Sequence, residues 1–305
     1  MNQKRILICG ATGFLGRNIY ERFKGEYNVV GVGFKESSDV QADLTKKEDV
    51  ERVTKGAYVI IQMAAACTGV KDVIERPYVH VTDNAVMNSF LLRSAFENNV
   101  GHFIFPSCTN VYPSSNEPHK ETDEIKPHEK YRGGGGTKIY LENMCQFFSG
   151  LGRTRHTIIR HSNIYGPHDK YDLNTSHVFA ATINKVLNTE EGGEISVWGD
   201  GSEKRDLLYS EDLVDFVELA IKERLDGIYN VGSGEAVSVS DLVQRVIKES
   251  EKNLRIKYDE SQPTMKINLS LDCTKAKKEL GWMPKTSLEE GIRKTIDWYK
   301  KNFSS

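Results

Sequence analysis

Three glycines at three-residue spacing, Gly10, Gly13 and Gly16, follow the apolar run Ile6-Leu7-Ile8-Cys9 and precede Arg17–Phe23, a segment of amphipathic helical character. A strand, a glycine turn and a helix in that order leave backbone N–H groups bare at a helix N-terminus. Peptide dipoles there favour an anion and no Cβ holds it off. The spacing therefore suits a dinucleotide pyrophosphate, with Gly10, Thr12, Gly13, Phe14, Leu15 and Gly16 as cofactor contacts. The next β-rich run ends in Gly33-Phe34-Lys35-Glu36-Ser37-Ser38, with no carboxylate directly at the strand end to bind a ribose diol and repel a 2′-phosphate. That tilts the expectation toward NADP(H), with Lys35 beside the adenosine; Glu36 or Asp39 turned inward would suit NAD(H) instead.

The elements that must position this turn alternate. Short apolar runs at Arg5–Cys9, Asn28–Phe34, Tyr58–Met63, His102–Pro106 and His156–Arg160 read as strands. Helical periodicity separates them near Gly13–Phe23, Lys46–Lys55, Val79–Asn98 and Ile139–Gly150. Continuous apolar strands divided by helices imply an α/β chain with a Rossmann-type, doubly wound parallel sheet. Beyond Gly166-Pro167 come a loop (His168–Thr175), a helix near Ser176–Leu187 and a strand near Ile195–Trp198. Asp206–Tyr209, the helix Ser210–Glu223 and the strand Ile228–Val231 are expected to pack back on the sheet. The expected division is a dinucleotide-binding domain, 1–167 with 204–232 returning to it, and a smaller, discontinuous C-terminal substrate lobe, 168–203 with 233–305.

Composition narrows the function classes. Across 305 residues, 41 basic and 43 acidic side chains leave a net charge of -2 with no basic cluster, which argues against nucleic acid or an anionic membrane as partner. The five cysteines (Cys9, Cys67, Cys108, Cys145, Cys273) form no CxxC pair, so neither a disulfide framework nor a metal site is expected. With no leader pattern and no run of eighteen apolar residues, the expectation is a soluble, cytoplasmic protein.

In this order the pieces resemble, essentially end to end, the extended short-chain dehydrogenase/reductases of the NAD-dependent epimerase/dehydratase type, which act on nucleotide sugars. Asn163–Asp169 with Asn174–Val178, and Val197–Gly201 with Arg205-Asp206, are similar to substrate segments of the GDP-L-fucose synthase-like subgroup. The resemblance implies an oxidoreductase acting at C4 of a nucleotide-linked, probably GDP-linked sugar. Lys138 then binds the nicotinamide ribose, and a Ser or Thr after His102–Pro106 bonds the sugar oxygen. Cys108 falls on that Ser/Thr position, leaving Ser107 or Thr109 to contribute. The family's proton-exchanging Tyr, four residues before the Lys, is replaced by Gly134. Tyr131 lies two helical turns, ~10 Å, before Lys138 and substitutes only if Gly133–Gly136 is not helical, which ~1 kcal/mol per glycine favours. An ordered water, or a residue that the sequence does not single out, is the other proton source.

His177 matches the His of the subgroup's 3,5-epimerising pair, acting either in proton transfer or in orienting substrate, whereas its Cys aligns with Asn110. Thr109-Asn110 stands where sugar 4,6-dehydratases carry Asp-Glu, which disfavours dehydration. By the same resemblance Asp43 and Leu44 adjoin the adenine, Ala64, Ala65 and Ala66 run beside the cofactor, and Asn84 ties a neighbouring loop. Asn163, His177, Val178, Trp198, Arg205 and Lys266 contact substrate, Arg205 because its planar fork suits a pyrophosphate. Val79–Asn98 and Ile139–Gly150 would pair across a homodimer as a four-helix bundle. Two other readings stand beside the reductase: a nucleotide-sugar and cofactor-binding homologue, or inactivated variant, without turnover, and a nucleotide-sugar epimerase.

Overall fold

The computed structural model describes residues 4–66, 77–262, 264 and 266–303; Cys67 lies outside them. Strands β1 (Ile6–Cys9) and β4 (Val59–Gln62) are buried at every position, as continuous apolar runs demand when both faces of a sheet are covered. They join β2 (Val29–Gly33), β3 (Val40–Gln41), β5 (His102–Cys108), β6 (Arg155–His161) and β10 (Gly227–Val231) in a seven-stranded sheet of order β10-β6-β5-β4-β1-β2-β3. Every pairing is parallel. The strand order reverses on either side of β1, and such a switch opens a crevice at the carboxyl ends of the strands.

Alternate strand residues feed two cores. Ile8, Ile61, Ile104 and Ile159 pack under helices α1 (Phe14–Phe23) and α6 (Ser210–Glu223). Leu7, Ile60, Phe103, Phe105 and Ile158 pack under α2 (Lys47–Thr54), α3 (Pro77–Glu97) and α4 (Arg132–Gly150). A third core, including Phe179, Ile183, Ile195, Leu242 and Ile292, gathers α5 (Val178–Asn188), β8 (Glu194–Trp198), α7 (Val239–Glu249) and α9 (Leu288–Phe303). There β8 pairs with β12 (Arg255–Asp259).

Strand β9 (Lys204–Tyr209) packs back on the large sheet through Leu208, which reaches the core under α6, while its own strand partners are β7 (Asn163–Tyr165) and β11 (Ala236–Ser238) in a three-stranded sheet. The glycine run Gly133–Gly136, whose irregularity was the condition for Tyr131 to substitute, is wholly inside α4. Local propensity loses there because the rest of α4 buries Leu141 and Cys145 in the core, and a helix so anchored carries its first turns with it.

A buried ion pair fixes α4 against the sheet. Arg160 on β6 donates to both Glu142 carboxylate oxygens, at 2.7 to 3.2 Å, and to the Tyr112 hydroxyl at 2.8 Å. Tyr112 in turn donates to Asn230 at 2.9 Å, so the pair sits in a satisfied network rather than alone.

Candidate active site

The glycine turn is shaped as its spacing requires. Gly10 has φ +75°, and a Cβ there would stand 2.6 Å from the Ala64 nitrogen; a Cβ on Gly16 would stand 2.2 Å from the Gly10 carbonyl oxygen. Only hydrogen fits at either position, so turn, β4 end and helix start close tightly on one another. Gly13 caps α1 without a side chain, and no acidic residue occupies the first turn. The N–H groups of Phe14 and Leu15 therefore enter the helix with no acceptor behind them and no competing carboxylate, a setting that fits a diphosphate. Thr12 Oγ1 lies 3.2 Å from where a Gly33 Cβ would be, beside Ser38, whose buried Oγ has no partner among the described residues.

At the end of β2 the acidic groups are placed outward or already engaged. Asp39 accepts from the Gly31 N–H (2.8 Å) and the Tyr20 hydroxyl (2.9 Å), while Lys35 and Glu36 are exposed. Asp43 accepts from the N–H and hydroxyl of Thr45, forming the turn into α2, and Leu44 is buried. Asn84 does tie a loop: it accepts from Ala66 N–H at 3.0 Å and donates to the Ala66 carbonyl at 3.1 Å. Gln62 accepts from Ala64 N–H, and Ala65 is exposed beside it.

At the carboxyl end of β5, Lys138 reaches from α4 to donate to the Pro106 carbonyl at 2.5 Å, its ammonium 4.8 Å from the Phe105 ring centre. Cys108 is half-buried; burial pushes its thiol up, against the pull of the Lys138 charge and of Asn110 N–H. Ser107 is sealed at 0 % exposure with its Oγ unpartnered among the described residues, so it does not reach a sugar oxygen as expected. Thr109 is 4 % exposed in the 3₁₀ turn that follows.

Tyr131 is also corrected. Because the glycines are helical, it caps α4 two turns before Lys138. It packs against the cluster of Val111, Tyr112, Ile267, Leu269 and Leu271. Burial raises its phenol, and the charges bearing on it are those of Arg205, Glu203 and Cys108, not Lys138. Gly134 holds the place one turn before Lys138, and among the described residues a Cβ there would meet nothing within 4 Å.

The sequence reading missed His161. It pairs in register with Cys108 across β5 and β6, and its ring is held neutral with a pKa of about 4, first by burial and then by the charges of Lys138 and His177. The signal was the strand running one residue past Arg160, which brings a histidine to the same edge as Cys108.

The remaining candidates lie on elements that follow β6 in the chain. His177 caps α5, open to solvent on one side, and its surroundings and Lys170 depress its pKa. Val178 packs on the third core. Asn163 donates to the Asp206 carbonyl at 3.3 Å. Trp198 is 53 % exposed at the end of β8 rather than a core residue, with the Lys185 ammonium 6.0 Å from its ring centre. The Arg205 guanidinium bonds Glu203 at 2.7 Å and the Ile267 carbonyl, so any anion must share it. Lys266 is exposed, with its backbone N–H on Glu203.

Comparison with known proteins gives the chain a family. The sequence profile of the NAD dependent epimerase/dehydratase family matches residues 6–232. The chain belongs to that family. It is 28% identical to a GDP-L-fucose synthase of Sinorhizobium fredii, over 99% of this chain and 97% of that protein. It is equally, 28%, identical to a GDP-L-colitose synthase of Yersinia pseudotuberculosis, over 97% of each. Among solved structures, a UDP-glucose 4-epimerase of Thermotoga maritima superposes with a TM-score of 0.87 at 25% identity, covering 98% of this chain and 100% of that one. Family membership brings a nicotinamide dinucleotide into question, and the glycine cradle, the bare α1 terminus and the orphaned Ser38 hydroxyl fit one.

Proposed function

We propose that this family member is an NAD(P)-dependent oxidoreductase acting at C4 of a nucleotide-linked sugar, with a GDP-linked hexose as the favoured substrate. The observation that carries the reading is the convergence of Lys138, Cys108 and His161 at the carboxyl edge that the glycine turn also borders. The cofactor supplies or accepts the hydride. Gly10, Thr12, Gly13, Phe14, Leu15 and Gly16 hold its diphosphate, and Lys138 anchors its ribose. Cys108 and Thr109 border the sugar oxygen, and Trp198 offers its exposed ring to the nucleotide base. Residues 1–167 with 204–232 form the cofactor half of the chain, and 168–203 with 233–305 the sugar half. The GDP preference draws on the similarity to the fucose and colitose synthases.

NADP(H) is favoured over NAD(H): the Asp39 carboxylate is engaged by Gly31 and Tyr20, which leaves Lys35 and Ser38 at the end of β2 for a 2′-phosphate. A homodimer through α3 and α4 is supported by Tyr140 and Phe147, seven residues apart on α4 and 51% and 63% exposed.

A GDP-linked 4-keto sugar mixed with NADPH and the protein is expected to lower absorbance at 340 nm, with NADH slower. No change with any nucleotide sugar and either cofactor, together with no dinucleotide binding in a fluorescence titration, overturns the reading. Gly134 favours a second reading, binding without turnover, which predicts tight binding of both ligands and a flat trace.

A further inference from the structure

We propose that His161 performs the proton transfer at the sugar C4 hydroxyl that Gly134 leaves without a phenol; this deepens the function proposed above and rests on it. The vacancy is specific. Position 134 lies one turn before Lys138 on an unbroken helix, and no described residue comes within 4 Å of the place of its Cβ. Glycine has nothing to exchange a proton with, so turnover needs another proton carrier at this edge.

His161 is placed for it by β-sheet register rather than by helix spacing. Its Cα pairs with that of Cys108 at the last positions of β5 and β6, and register partners on parallel strands project to the same face. Its Nδ1 lies 2.7 Å from the Ser162 carbonyl oxygen. A carbonyl only accepts, so Nδ1 carries the proton and Nε2 carries the lone pair. Among the described residues Nε2 has no hydrogen-bond partner, and the residue is only partly buried.

Around the ring stand Cys108 from β5 and Val231 from β10 as register partners, with the Lys138 ammonium from α4 and the His177 ring from the α5 cap bearing on it. Burial, with the Lys138 ammonium beside it, keeps the imidazole neutral near pH 7, the form that accepts a proton. The alternatives at the edge are weaker. The Cys108 thiol is raised and stays protonated, Ser107 is sealed, and Tyr131 is committed to another cluster.

In the oxidising direction the C4–H bond breaks with its electron pair, the hydride going to an oxidised nicotinamide dinucleotide. The O–H bond breaks with its proton going to His161 Nε2, and C4–O becomes a carbonyl. Reduction of a 4-keto sugar runs the same transfers backward, with the imidazolium returning the proton.

The test combines spectroscopy and rescue. In wild-type protein labelled with ¹⁵N-histidine, adding NADPH and a GDP-linked 4-keto sugar is expected to shift the His161 Nε2 resonance; GDP with NADPH is not. His161→Asn, whose amide keeps a donor for the Ser162 carbonyl, is expected to lower turnover about 10²–10⁴-fold while NADPH affinity stays within about twofold. Gly134→Tyr in that background is expected to recover at least about tenfold. An unmoved Nε2 resonance in protein that binds both ligands overturns the inference and leaves the proposed function standing, as does unchanged turnover in His161→Asn. If His161→Asn does not fold, the wild-type resonance alone decides. Failure of the wild type to bind either ligand removes the function itself, and the inference with it.

Discussion

A single hydrogen atom decides the cofactor turn. At Gly16 even the smallest side chain would place carbon 2.2 Å from the Gly10 carbonyl oxygen, far inside van der Waals contact with rigid backbone. Gly16→Ala is therefore expected to push α1 away from the turn and weaken NADPH binding by at least about tenfold, ~1.4 kcal/mol, measured by nucleotide fluorescence. Binding within twofold of wild type would contradict the cradle. The same scale separates the legible residues from the illegible ones. The turn of Gly10, Gly13 and Gly16 was readable because its geometry is local, whereas Lys138 was nominated through the family resemblance. The sealing of Ser107 and the placement of His161 depend on which face of β5 and β6 each residue takes at the sheet's edge, which spacing along the chain does not determine.

Helix α4 shows an element overruling its own propensities. Four consecutive glycines in its first turns cost ~1 kcal/mol each relative to alanine, and they are helical all the same. The glycines are not equivalent, however. Among the described residues a Cβ on Gly136 would meet nothing within 4 Å, whereas one on Gly135 would lie 2.6 Å from the Asn110 carbonyl oxygen and 2.7 Å from Pro127 Cβ. Gly136→Ala is expected to raise the unfolding free energy by ~1 kcal/mol. Gly135→Ala is expected to lower it by ~1–3 kcal/mol, because the helix must lift from the loop after β5. Urea denaturation distinguishes them; equal shifts of one sign would mean the helix does not begin at Arg132. The hydrophobic period of Ile139–Gly150 revealed the anchored part of α4. The glycine-rich start was not legible because propensity is summed locally while the anchoring contacts lie further along.

For the whole molecule, buried histidines set the response to acid. His102 and His156 are enclosed between β5, β6 and the core under α4, and burial holds each pKa at about 4. Their Nδ1 and Nε2 atoms, respectively, have no partner among the described residues, so neither site welcomes a second proton. An unfolded histidine titrates near 6.5, so the unfolded chain binds these protons first as the pH falls. The stability they contribute is complete above about 6.5 and is lost progressively toward about 4. Asp169 runs the other way: burial raises its carboxyl to about 7, so its share declines as pH rises through that range. The urea midpoint is expected to fall from pH 7 to pH 5, with a shallower slope in His156→Gln; a midpoint unchanged across that range would rule this out.

Periodicity by itself determined the parallel, doubly wound sheet. Buried strands must be apolar throughout and covering helices apolar on one side, and both patterns are written in neighbouring residues. The glycine spacing likewise determined a place for a diphosphate. Tertiary structure alone decided that β9 pairs with β7 and β11, that the glycines of α4 coil, and that His161 stands beside Cys108 at the edge Lys138 reaches. Each of those outcomes is a contact between segments distant in sequence, and its free energy exists only once the chain has closed on itself.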